Sequence, residues 1–244
     1  MIVYKGENIR STSSRMTPVD ITLLRDEISS PKEEFKNAIS RLRQIKELDR
    51  NQYANAKRDL PYIVCGVFSP PYRRLENFSH IEMFVMDIDY LSENGYNLEE
   101  VRNTLSQDSR VLLAFASPSG DGLKVFFRLK EKCYDYGEFS VFYKLFAYSF
   151  ALHNNLMQVI DTRTSDVTRA CFMSADENVY YNPDANSVDI KMYLDIDNPF
   201  AAFSKKTQIE QFLSEREAKR DADESACTNV SDDTLEHICH ILSS

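Results

Sequence analysis

A chain of 244 residues, 43% of them hydrophobic, is long enough for one large domain, or one domain plus an appendage, with a sizeable buried core. Its net charge of −9 argues against a generic nucleic-acid coat protein, although a local basic groove can coexist with an acidic total. The five cysteines, Cys65, Cys133, Cys171, Cys227 and Cys239, are odd in number and form no C-x-x-C, which weighs against a disulfide framework or a four-thiolate zinc site and favours a reducing cytoplasm.

The first twenty residues are mostly polar and no apolar run reaches membrane-spanning length, so neither export nor insertion is expected. A short strand opens the chain at Ile2, Val3 and Tyr4. Residues 31–58 then read as one helix, with Phe35, Ile39, Leu42, Ile45 and Leu48 on one stripe. Its other face carries Arg41, Arg43, Lys46, Arg50, Lys57 and Arg58, a pattern that suits a phosphate backbone but more commonly marks a solvated face. A strand over 62–68 is closed by Ser69, Pro70 and Pro71, and a second follows over 81–90. Residues 97–105 form a short helix. Strands at 111–116 and 124–129 flank the loop 117–122, and Phe139, Phe142, Tyr143, Phe146 and Phe150 recur at the spacing of a long helix, as core rather than as a base-stacking platform. Three short extended segments follow at 157–161, 170–174 and 179–182, the last two joined by a polar turn at 175–178. No repeat is visible. Composition shifts after Phe203 to a charged helical pattern and a polar break, so the expected division is a domain over 1–203 and a linker helix with the start of a further helical segment over 204–244. His237, Cys239 and His240 fit no standard zinc spacing.

The most informative stretch is the apolar strand that ends in Asp87-Ile88-Asp89. Residues i and i+2 of a strand share a face roughly 6.5–7 Å apart, so two carboxylates occupy one small volume. Asp is depleted in strands, and paired like charges need something positive between them, for which a divalent cation is the usual solution. Taken alone, the motif suits either a metal site or the start of a turn at a solvated sheet edge. Two of only six glycines, Gly120 and Gly122, lie in Ser117-Pro118-Ser119-Gly120-Asp121-Gly122-Leu123-Lys124. Backbone amides turned by glycine, serine hydroxyls and a basic side chain can cradle a phosphate, and a plain hairpin turn uses the same residues. If Lys124 begins a strand, Phe126 and Arg128 share its face. A third apolar run ends on Asp161, which would complete a three-carboxylate site. Asp166 and Arg169, three apart, suit a local ion pair, and Arg169 suits a phosphate equally well.

In this order the pieces resemble the three catalytic motifs of the archaeo-eukaryotic primase, or primase-polymerase, superfamily. Leu60-Pro61 before the strand containing Gly66, the Ser117 to Lys124 loop, and Arg169 through Phe172, Ser174 and Asp176 to Asn182-Pro183 resemble more narrowly its VirE N-terminal or BT4734-like branch. The resemblance spans roughly residues 55–190. One departure is Lys124, which stands where the wider superfamily commonly has a His at the end of the second motif; roles assigned to that His do not transfer, while Lys124 retains the charge to bind a triphosphate.

The resemblance implies an α/β (α+β) catalytic core, a mixed sheet unit and an RRM-like unit facing each other across a cleft, and template-directed nucleotidyl transfer as its chemistry. Asp87, Asp89 and Asp161 would be the catalytic and metal-binding residues, holding Mg²⁺ or Mn²⁺. Ser117, Ser119, Gly120, Gly122, Lys124 and Arg169 would bind the nucleotide, and the basic helix would follow template DNA. The expected partners are a DNA template and primer, an NTP or dNTP, and a helicase or primase C-terminal domain, in a cytoplasmic protein with no membrane contact, serving DNA replication or repair in a mobile element, phage or defence system. Two other classes compete: a metal-dependent glycosyltransferase using the Asp-x-Asp strand, and a non-catalytic DNA-binding or replication-initiation module. The first leaves the second and third motifs unexplained, and the second has no need of converging acids.

Overall fold

Two antiparallel sheets organise the chain. In the first, the strand order is β2 (Thr17–Asp20), β1 (Ile2–Gly6), β3 (Tyr62–Val64) and β9 (Cys171–Phe172). In the second, it is β10 (Tyr180–Tyr181), β6 (Leu113–Ala116), β7 (Gly122–Cys133), β5 (Phe78–Asp89) and β4 (Gly66–Phe68), with β8 (Ile160–Asp161) paired to the far end of β5. This computed structural model describes residues 1–194 apart from 12 and 162–164, together with 207, 211, 214, 215 and 218. The chain divides into two units, Met1–Pro199 and Phe200–Ser244, and the first carries both sheets. The appendage expected over 204–244 lies outside the described residues except at those five positions. No helix among the described residues is long and apolar enough to cross a membrane.

The α+β core with two sheet units is the one expected, and every pairing between its named strands is antiparallel. Alternation along β5 and β7 sets the layers. Phe84, Met86 and Ile88 pair with Phe127, Val125 and Leu123, all buried, and α5 (Tyr136–His153), the helix after α4 (Leu98–Leu105), covers this face. The Phe84 ring stacks on Phe127 at 5.2 Å and meets Phe142 and Phe146 edge-on at 5.4 and 5.1 Å. The aromatic repeat of α5 is therefore core, as its spacing indicates. The other face carries Phe126, stacked on Phe115 at 5.8 Å, and ends in Lys124 and Asp87.

Four local expectations are corrected. The basic segment is two helices, α2 (Glu33–Leu48) and α3 (Arg50–Lys57), because Asp49 adopts extended angles and its carboxylate caps α3 by accepting from the Asn51 and Gln52 amides. Leu48 consequently leaves the apolar stripe and is 87% exposed. A hairpin strand, β2, and a helix, α1 (Ile21–Ser29), occupy the polar opening region; Asp20 caps α1 and Ile21, Leu24 and Ile28 are buried at helical spacing, a signal present in the sequence but overlooked. The single strand expected over 62–68 is two, β3 and β4, in different sheets, and the segments around 171 and 180 likewise join different sheets. Asp176 pins this crossing: its carboxylate accepts from the buried Arg102 guanidinium at 2.7 Å and from the Ala116 amide at 2.6 Å. Finally, only Ile160 and Asp161 of the segment 157–161 are strand.

Candidate functional site

The carboxylates meet because β5 is central. Asp87 lies across from Lys124 on β7 and across from Asp161 on β8, while Asp89 lies across from Gly122. One ligand atom from each of Asp87, Asp89 and Asp161 comes within 4.8 Å of the others. Asp87 is 5% exposed, and its Oδ1 is buried with no hydrogen-bond partner. Burial pushes the Asp87 pKa up, and Asp89 and Asp161 push it the same way against the opposing charge of Lys124. A set of close acidic oxygens with one acceptor left unsatisfied suits a hard divalent cation, so the residues fit the Mg²⁺ or Mn²⁺ that the resemblance implies.

Lys124 is engaged with the carboxylates themselves. Its ammonium sits 2.9 Å from Asp87 Oδ2 and 3.7 Å from Asp89 Oδ1, with its side chain buried. Burial works against its charge, but the fields of Asp87, Asp89 and Cys171 overcome that and raise its pKa. Part of the positive charge that paired carboxylates require is thus supplied from the neighbouring strand.

The Ser-Gly loop is a tight turn closed on itself. Ser117 accepts from the Gly120 amide at 2.9 Å, the Ser117 amide donates to Gly122 O at 2.8 Å, and the Ser117 and Ser119 hydroxyls lie 2.8 Å apart. The Gly120 amide is therefore engaged inside the turn rather than open to an anion, and its φ of +74° explains the glycine. Gly122 serves close approach: a Cβ there would stand 2.3 Å from Ile88 O and 3.0 Å from Asp89 Oδ1. Asp121 accepts from the Ser92 amide and from Lys46; these bonds hold it below the usual carboxylate range although burial opposes them.

Arg169 reaches Asp161 at 3.5 Å and does not pair with the Asp166 side chain, which instead accepts from the Thr168 amide and hydroxyl at 2.8 Å. The basic face of α2 and α3 also divides. Arg43 donates to Pro118 O and Ala175 O, Lys46 pairs with Asp121 at 3.3 Å, Arg50 pairs with Glu93 at 2.8 Å, and Arg41 and Arg58 remain exposed. Two residues of α3 also stand at the site: Tyr53, which was not expected there, and Lys57, which was expected only as part of the basic face along DNA. The Tyr53 hydroxyl is buried without a well-formed hydrogen bond, and burial lifts its pKa to about 12 against an opposing contribution from Ser119. Lys57 lies within electrostatic reach of Lys124, Asp89 and Asp87. Lys57 was legible through the basic face it shares, and the signal for Tyr53 was its i, i+4 spacing from Lys57 on one helix face.

The family model of the BT4734-like, N-terminal domain matches residues 55–181, more than half of the chain. This chain belongs to that family. The matched span of this BT4734-like domain begins within α3 and holds all three site carboxylates, the Ser-Gly loop and Arg169. No curated protein matches the chain significantly. Among solved structures, the AEP domain of the cyanophage S-2L primase-polymerase is similar with a TM-score of 0.41 at 9% identity, over 80% of this chain and 88% of that one.

Proposed function

We propose that this BT4734-like domain is a metal-dependent nucleotidyltransferase of the primase-polymerase type, joining nucleotides on a DNA template. The observation that carries this reading is the convergence of Asp87, Asp89 and Asp161 within 4.8 Å, with Asp87 Oδ1 buried and unsatisfied. These three residues would hold Mg²⁺ or Mn²⁺, which when bound supplies neutralisation of triphosphate charge and activation of an attacking hydroxyl. The chain's own groups do the rest. Lys124 steadies Asp87 and Asp89 from the adjacent strand, Arg169 positions Asp161, and the Ser117 and Ser119 hydroxyls stand at the loop beside them to orient the nucleotide. Arg41 and Arg58 are left exposed for the DNA backbone, and a helicase or primase C-terminal domain would deliver the template.

An extension assay with labelled ribo- and deoxyribonucleotides, with and without primer, tests the reading. Incorporation by the wild type should fall to background in Asp87→Asn and Asp89→Asn while both variants keep the cooperative unfolding of the parent. Wild-type incorporation by Asp87→Asn would sink the metal site in favour of a binding module. Turnover of a sugar nucleotide in place of dNTPs would point to a glycosyltransferase, and release of nucleotides in place of their joining would point to a nuclease.

A further inference from the structure

We propose that Lys57 on α3, and not Lys124, is the cation that binds the phosphates of the incoming nucleoside triphosphate, with Tyr53 and Phe172 forming the walls that aim it. The inference rests on the nucleotidyltransferase reading and names a ligand for the same site.

Among the described residues, the cations around the Ser-Gly loop and the carboxylates are already engaged, with one exception. Lys124 holds Asp87 and Asp89, Arg169 holds Asp161, and Lys46 holds Asp121. Arg43 donates to two backbone carbonyls. Lys57 has no hydrogen bond and no ion pair among the described residues; its ammonium lies 5.1 Å from the centre of the Phe172 ring and 5.7 Å from that of Tyr53. Burial and the charge of Lys124 both work against its protonated form, while Asp89 and Asp87 favour it. Two aromatic faces are weak substitutes for a counter-charge. A charge kept at such a place is costly to the fold alone and is satisfied by a polyanion that enters the site.

An independent observation points the same way. Tyr53 precedes Lys57 by four residues, which puts both on one face of α3. Its hydroxyl is a second buried polar group without a well-formed partner, under the influence of Ser119, Lys124 and Asp89. One turn of helix therefore presents a donor and a cation, both unsatisfied, to the loop and carboxylates where a triphosphate would lie. Ammonium suits this task as a compact point charge with rotatable donors.

The test is binding of a fluorescent dATP or ATP analogue to the full chain, with Ca²⁺ as the divalent ion. Lys57→Met keeps the stem that packs between the rings and removes the charge; Lys57→Arg keeps the charge. Loss of a hydrogen bond to a charged group predicts roughly tenfold or greater weakening for Lys57→Met, with Lys57→Arg near the wild type. The unfolding midpoint of Lys57→Met should hold or rise, because a desolvated charge has been replaced by an apolar chain. Binding by Lys57→Met within about twofold of the wild type overturns the assignment. Equal weakening in Lys57→Met and Lys57→Arg also overturns it, since shape and not charge would then matter. A wild-type chain that binds neither nucleotide defeats the nucleotidyltransferase reading itself.

Discussion

Strands β5 and β7 lie side by side, and their two faces are governed by different physics. On one, Phe84 and Phe127 stack against each other and against the rings of α5. On the other, Asp87 and Asp89 share the ammonium of Lys124, and Asp161 joins them from β8. The apolar face is held by buried area and close packing, which are insensitive to ions. The polar face is held by a balance of charges, so its stability depends on which cations are present. Neighbouring positions of the same strand thus answer to different conditions, because a strand sends successive side chains to opposite faces.

Phe84→Ala should show the largest effect on stability. Removing a fully buried ring from the stack costs roughly 3–5 kcal/mol, read as a lowered denaturant midpoint. Addition of Mg²⁺ or Mn²⁺ should not restore it; recovery with either ion would show that the two faces are not separable.

Lys124→Met sharpens the contrast from the other side. Without divalent ions it leaves three close carboxylates facing one another and should cost about 3 kcal/mol, the lower end for breaking a buried pair because Asp87 can take up a proton. Mn²⁺ should recover more stability in this variant than it adds to the wild type. A variant as stable as the parent and indifferent to ions would mean that Lys124 does not balance the carboxylates.

A smaller effect is expected away from both faces. Asp20 caps α1 through the Thr22 amide and hydroxyl, with a further ion pair to the chain's amino group, and these hold its pKa at about 2. A depressed folded-state pKa stabilises above the unfolded value and loses that stabilisation as pH falls through the folded one. Asp20→Ala should therefore be about 1 kcal/mol less stable than the parent at pH 6, with the gap closing between roughly pH 4 and pH 2. A gap that is constant with pH would assign the cap to packing instead of charge.

Much of this was legible from local pattern. The strand ending in Asp87 and Asp89, the helix capped by Asn97 and the aromatic stripe of α5 each follow from the spacing of apolar residues and the chemistry of a cap. Less legible were features where a single polar residue overrides a pattern. Asp49 divides a helix that periodicity alone would continue, and Asp176 sends two short strands to different sheets through contacts with residues 60 and 74 positions away.

By itself the sequence determined which residues are chemically capable: three carboxylates that each follow an apolar run, a loop rich in serine and glycine, and a basic segment before them. Residue type and alternation are local properties, so they survive without the fold. Only the tertiary structure decided how those charges are shared. Lys124 stands directly across from Asp87 because of the β5–β7 register, Arg169 reaches Asp161 rather than Asp166, and Lys57 is carried to the carboxylates instead of to solvent. Charge partnership depends on distance in space, and distance between strands and helices far apart in the chain is set by register and packing, which no local pattern encodes.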